Sequence, residues 1–101
     1  MRDIWGVASD DDVSWILARL TPTPFRHFTD RLNRTKPVAV DTTRTFIRCR
    51  QFQLGKHPAF DRHAKMAQQT AGWHYRELAT PHLPYVTHPV ELAEVLLDLP
   101  E

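Results

Sequence analysis

The residues of this 101-residue chain best suited to proton transfer or nucleophilic attack are its six histidines, one cysteine and two serines. His82 stands out by its setting. It lies in Ala79-Thr80-Pro81-His82-Leu83-Pro84, between the expected last strand and the expected last helix, and open α/β sheets place catalytic groups in loops at the carboxyl ends of strands. A neutral imidazole there can take a proton from a nucleophile and return it to a leaving group. The other histidines offer less. His57 and His63 are six residues apart, which is not a one-face ligand spacing, and no H-E-x-x-H occurs. With His74 and His88 they read as incidental, and no metal site is expected. Cys49 sits in an apolar run and reads as a buried, inert thiol; being alone, it excludes an internal disulfide and thiolate-rich metal sites. Ser9 and Ser14 stand in or before the first expected helix. Neither occupies the small-x-Ser-x-small turn of a nucleophile elbow. With only Gly6, Gly55 and Gly72 there is no glycine-rich phosphate loop, and no cofactor is expected.

The elements that must position His82 follow from patterning. Ser9 and the run Asp10-Asp11-Asp12 suit a helix start, and Val13, Ile16, Leu17 and Leu20 form one apolar stripe, so a helix is expected over Asp10–Leu20, stopped by Pro22 and Pro24. From Phe25 to Val40 the periodicity is weak, giving a short helical turn and then loop. Thr45–Arg50 reads as a partly buried strand. Pro58 and Asp61 suit a helix start, and Phe60, Ala64, Ala67 and Ala71 share one side of a helix ending at Gly72. Trp73–Leu78 reads as a second strand on its alternation and its aromatics. Thr87 or His88 can cap a final helix that has Pro89 in its first turn, Glu91 as reciprocal partner to a His88 cap, and Leu92, Val95, Leu96 and Leu99 as its stripe. Strand, helix, strand, helix with short joints predicts an α/β unit with parallel strands.

Composition narrows the partners. An apolar content of 42% with 25% charged residues is that of a globular chain, and the formal net charge of +1 offers no electrostatic case for nucleic acid or membrane partners. Arg48, Arg50 and Arg76 read as a solvated face. No apolar run approaches the roughly 20 residues needed to span a bilayer, and no signal peptide is visible, so a cytoplasmic protein is expected.

Gly72-Trp73-His74-Tyr75-Arg76-Glu77-Leu78-Ala79-Thr80-Pro81-His82, followed by Tyr85-Val86-Thr87-His88-Pro89-Val90-Glu91-Leu92-Ala93, resembles the end of small α/β-hydrolases related to plant esterases and hydroxynitrile lyases. Upstream, Arg44-Thr45-Phe46-Ile47-Arg48-Cys49 resembles the strand after which that family supplies its acidic triad member, and Trp5 to Asp30 resembles the tail of its cap region. The resemblance implies a partial α/β-hydrolase fold in one domain: residues 1–40 as cap-tail helix and connector, residues 41–101 as the C-terminal strand-helix-strand-helix unit. It implies His82 as general base. Two departures bear on activity. Where the family has its acid, about three residues beyond Cys49, this chain has Phe52 flanked by Gln51 and Gln53. Asp61 and Glu77 are the candidates to replace it, though Asp61 also suits its helix start and Glu77 the strand surface. The nucleophile elbow is missing, and a lone base lacks the parts that supply most catalytic power in this chemistry.

The expectation is therefore a truncated or degenerate α/β-hydrolase-like protein, inactive alone and acting in assembly. The alternative is a C-terminal piece of a serine esterase or hydroxynitrile lyase-like enzyme, lending His82 to a nucleophile on another chain; if active, it would act on small esters. Two strands are few for an independent parallel sheet, so a homodimer, or a second chain completing the sheet, is the expected partner.

Overall fold

Apolar alternation at 44–49 and 73–78 produces the two strands found among the described residues. They frame everything else in the computed structural model, which describes residues 5–39, 41–51 and 58–100. Helix α1 spans Asp10–Leu17 and a short α2 Arg26–Thr29; β1 (Arg44–Cys49), α3 (Pro58–Gln69) and β2 (Trp73–Leu78) follow, then a single turn α4 (Pro84–Thr87) and the final α5 (Pro89–Leu97). The strands pair in parallel, with register running from Arg44 opposite Trp73 to Cys49 opposite Leu78. The architecture is mixed α/β.

Helix α3 forms the crossover and lies against both strands. Its small buried residues, Ala64 and Ala67, allow that approach. Gly72, at φ +84°, turns the chain out of the helix into β2, a conformation that costs glycine little. On the paired strands Phe46 stacks on Tyr75 with ring centroids 6.3 Å apart. The Arg44 guanidinium lies over the Trp73 ring. Such aromatic cross-strand pairs are what stabilise a short ladder.

The hydrophobic cluster sits elsewhere, at the carboxyl end of the sheet. Val7, Ile16 and Leu83 are buried together, with Trp5, Val13 and Val86 packed around them. Helix α1 is thereby docked on the segment that follows β2. Ser9 caps it, its hydroxyl accepting from the Asp12 N–H. The helix ends at Leu17 rather than Leu20. The Arg19 guanidinium donates to the Trp15 carbonyl and covers the Trp15 ring, closing the last turn. Pro22 disfavours helical backbone at the residue before it. Leu17 and Leu20 are consequently exposed, so only half of the expected stripe is used.

From Leu17 to Ala39 every residue is exposed, including Phe25 and Phe28 at 77% and Leu32 at 89%. The connector does not fold back to cover the sheet. In α5 no residue is buried. The radius of gyration is 16.0 Å, against about 13 Å for a compact chain of this length. The accessible surface is 8239 Å², against about 5,900 Å² for a compact monomer of this mass.

Gly6 couples the N-terminal segment to the sheet. Its φ is +73°, and a Cβ there would stand 3.3 Å from both the Gln51 carbonyl oxygen and the Pro81 Cβ. Gly6→Ala is expected to cost about 1–2 kcal/mol from the left-handed backbone, with the close approach adding to it. Ile16→Ala is expected to cost about 2–5 kcal/mol as a buried truncation. Leu17→Ala, one residue on but exposed, is expected to stay within about 0.5 kcal/mol. Urea unfolding of the three variants checks this ranking; equal effects at positions 16 and 17 would contradict the docking of α1.

Candidate functional site

The loop that carries His82 is held on several sides. Main-chain pairing continues past the strand ends, with the Arg50 N–H donating to the Leu78 carbonyl at 2.8 Å and the Gln51 N–H to the Thr80 carbonyl at 3.0 Å. Thr80 is buried and its hydroxyl donates to the Pro81 carbonyl. Pro81, Leu83 and Pro84 are buried around it. The His82 N–H donates to the Trp5 carbonyl at 3.0 Å, and the imidazole meets the Trp5 ring at 6.4 Å in a tilted contact. Backbone bonds to β1's continuation and to the N-terminal segment thus fix the position from which the ring projects.

His82 is half-buried. It lines a cleft of about 350 Å³ together with Phe46, Ile47, Cys49, Phe60 and Leu92 among others. That volume falls at the lower end of small-molecule sites, and the lining is mainly apolar as in such sites. Burial pushes the imidazole pKa below its ordinary 6.5, because desolvation disfavours the charged form. Near neutral pH the ring is therefore uncharged, the state a general base requires. Cys49, expected to be a buried, inert thiol, is half-buried and borders the same cleft.

The two carboxylates considered as replacements for the triad acid are engaged by arginines. The Arg48 guanidinium donates to Asp61 at 2.5 Å, which stabilises its charged form and raises its pKa. Glu77 accepts from the Tyr75 hydroxyl at 2.8 Å and from Arg50 at 2.7 Å. Those two donors, the tyrosine foremost, hold Glu77 below the usual carboxylate range. Phe52, expected to stand near His82 in place of an acid, lies outside the described residues, as does His57. Of the serines, Ser9 is spent as the cap of α1 and Ser14 lies exposed on that helix. His88 precedes α5 without a side-chain cap bond; its Nδ1 instead lies 2.8 Å from the Thr87 hydroxyl, so the expected capping box does not form. Among the described residues no three His, Cys, Asp or Glu side chains gather as a metal site would need.

Patterning identified the loop but missed what braces it. The Trp5 carbonyl and the Gly6 turn carry no periodic signal, and the lone glycine between Trp5 and Val7 was the one available hint. Comparison of the chain with family models, with curated proteins and with solved structures produced no match.

The burial of His82 has a consequence for acid stability. With a folded pKa below 6.5, the unfolded chain binds more protons in the window between the folded value and 6.5. Stability therefore rises with pH through that window, levels off above 6.5, and loses this contribution as the pH falls through the folded value. An imidazole titration followed by NMR is expected to place His82 below 6.5. His82→Gln is expected to flatten the pH dependence of unfolding in the same window; an unchanged slope would contradict the assignment.

Proposed function

We propose that this chain is an α/β-hydrolase-like unit that carries the base histidine but no nucleophile of its own, and that it functions in assembly, its sheet completed by another polypeptide. The observation that supports this most is the mismatch between surface and mass. The accessible area exceeds that of a compact monomer of 11.8 kDa by more than the roughly 800 Å² that one partner contributes to a standard interface. The two parallel strands among the described residues give a sheet too little area to bury both helical layers, and parallel sheets occur with both faces covered. Fully burying one Leu or Val is worth roughly 1.5–3 kcal/mol, against a net stability of about 5–15 kcal/mol for a domain. Association is the direct way to recover burial that α1 and α5 leave unused.

A second reading, in which His82 serves as general base to a serine on another chain acting on small esters, is favoured by one specific observation: the braced, half-buried imidazole with a lowered pKa at the carboxyl ends of parallel strands. The two readings separate in the test tube. Light scattering coupled to size exclusion is expected to give a mass above that of one chain at micromolar concentration; a monodisperse monomer with a cooperative thermal transition would rule out self-association, and the assembly reading would then stand only if a second polypeptide binds. The chain alone is expected to hydrolyse aryl esters no faster than buffer. A rate that disappears in His82→Ala, in protein free of contaminating esterase, would show that the chain needs no second nucleophile.

A further inference from the structure

Resting on the assembly reading, we infer that the outer edge of β1 receives an extended strand from a different polypeptide, one with an apolar centre and an acidic residue toward each end. The edge is defined by the ladder itself. The Arg44 N–H donates to the Gly72 carbonyl and the Arg50 N–H to the Leu78 carbonyl. By the two-residue alternation of a strand, positions 44, 46, 48 and 50 turn their main-chain groups toward β2. Thr45, Ile47 and Cys49 turn theirs away from it. Among the described residues no strand pairs with that side.

The cleft beside His82 is this edge seen from solvent. Four consecutive residues, Phe46 to Cys49, line it. Their side chains alternate between the two faces of the sheet, and we take a single cleft that borders all four as one that approaches the strand edge-on. Its walls come from both sides: Phe60 from α3, Tyr85 and Leu92 from the helices after β2. An edge with main-chain donors and acceptors, set in an apolar slot, has the shape and chemistry of a site for strand addition.

The opposite edge is guarded. Tyr75 turns its main-chain groups away from β1, and the Arg76 guanidinium donates to the Tyr75 carbonyl at 3.1 Å. A charged side chain folded over an edge carbonyl is a common device against unwanted pairing.

Charge selects the occupant. β1 and the residue after it carry Arg44, Arg48 and Arg50 and no acid. If two copies paired through this edge about a two-fold axis at Ile47, Arg44 of each would stand opposite Arg50 of the other, and like charges directly opposite are destabilising. The strand that β1 does have as a neighbour shows the remedy: Glu77 of β2 takes Arg50 at 2.7 Å. A partner strand with carboxylates toward its ends adds counter-charge beside Arg44, which lies over the Trp73 ring, and beside Arg50, already paired with Glu77, while its apolar centre enters the slot at Ile47.

The test uses the full chain, isotope-labelled, and three capped synthetic peptides: a valine-rich strand with a glutamate toward each end, the same strand with lysines there, and the glutamate strand with alternate backbone nitrogens methylated. At about ten times its dissociation constant, the glutamate peptide is expected to slow amide exchange at Thr45, Ile47 and Cys49 by about tenfold. The lysine and methylated peptides are expected to leave those amides unchanged. Ile47→Pro, which removes the central edge N–H, is expected to abolish the effect; Arg76→Ala, on the guarded edge, is expected to leave it intact. Equal protection by the lysine peptide, protection at β2 in place of β1, or self-association that itself protects Thr45, Ile47 and Cys49 would overturn the inference. If the chain associates through another surface while these amides exchange freely, the inference fails and the assembly reading stands. If it stays a monomer and no peptide protects it, both fail.

Discussion

Parallel pairing of two strands forces the chain to travel the length of the sheet and back before the second strand can begin. Helix α3 makes that journey, and its consequence is that β1 and β2 end side by side, with Cys49 in register with Leu78. Whatever leaves the sheet therefore leaves from one rim. The Gln51 N–H reaches the Thr80 carbonyl there, Gly6 packs against Gln51 and Pro81, and the His82 N–H donates to the Trp5 carbonyl. An antiparallel hairpin would have sent these segments to opposite ends. The candidate site, the small hydrophobic cluster and the docking of α1 all depend on that shared rim.

The same geometry explains why the protein concentrates its order unevenly. Val7, Ile16 and Leu83 form the buried cluster at the rim, while the sheet below is stabilised by the half-buried Phe46–Tyr75 pair and by Ala64 and Ala67 of α3. Ion pairs add little: Arg48–Asp61 and Arg50–Glu77 are both partly solvent-exposed, and such pairs contribute about 0–1 kcal/mol. Their effect is on placement. They commit Asp61 and Glu77 to arginines.

Local patterning proved sufficient where a segment's own periodicity decides its structure. Trp73–Leu78 forms the strand that its alternation predicts, β1 is displaced by one residue from Thr45–Arg50, and Pro58 opens a helix as its fixed φ favours. It fell short where tertiary contacts decide. The spacing of the α1 stripe extends through Leu20, but burial reaches only Ile16, and Leu17 and Leu20 are exposed. The turn α4 is four residues long, too short to show a period, and exists because Pro84 stands at its start and the Thr87 and His88 N–H groups find Leu83 and Pro84 carbonyls. His82 was legible as a loop residue; its tie to Trp5, 77 positions earlier in the chain, belongs to a class of contact that no window along the sequence contains.

The stretch 18–43, exposed at its described residues, has a role of its own in polymer terms. Those 26 residues join α1 to β1, and a chain of that length spans on the order of 25–30 Å if it behaves as a coil. None of its described residues is buried, so it adds little contact energy to the docking of α1. It acts instead by confinement: it holds α1 within reach of Leu83 at an effective concentration in the millimolar range. A single proteolytic cut in this stretch would leave every contact at the rim intact and still turn an intramolecular docking into a bimolecular one. The persistence of α1 on the body would then depend on dilution.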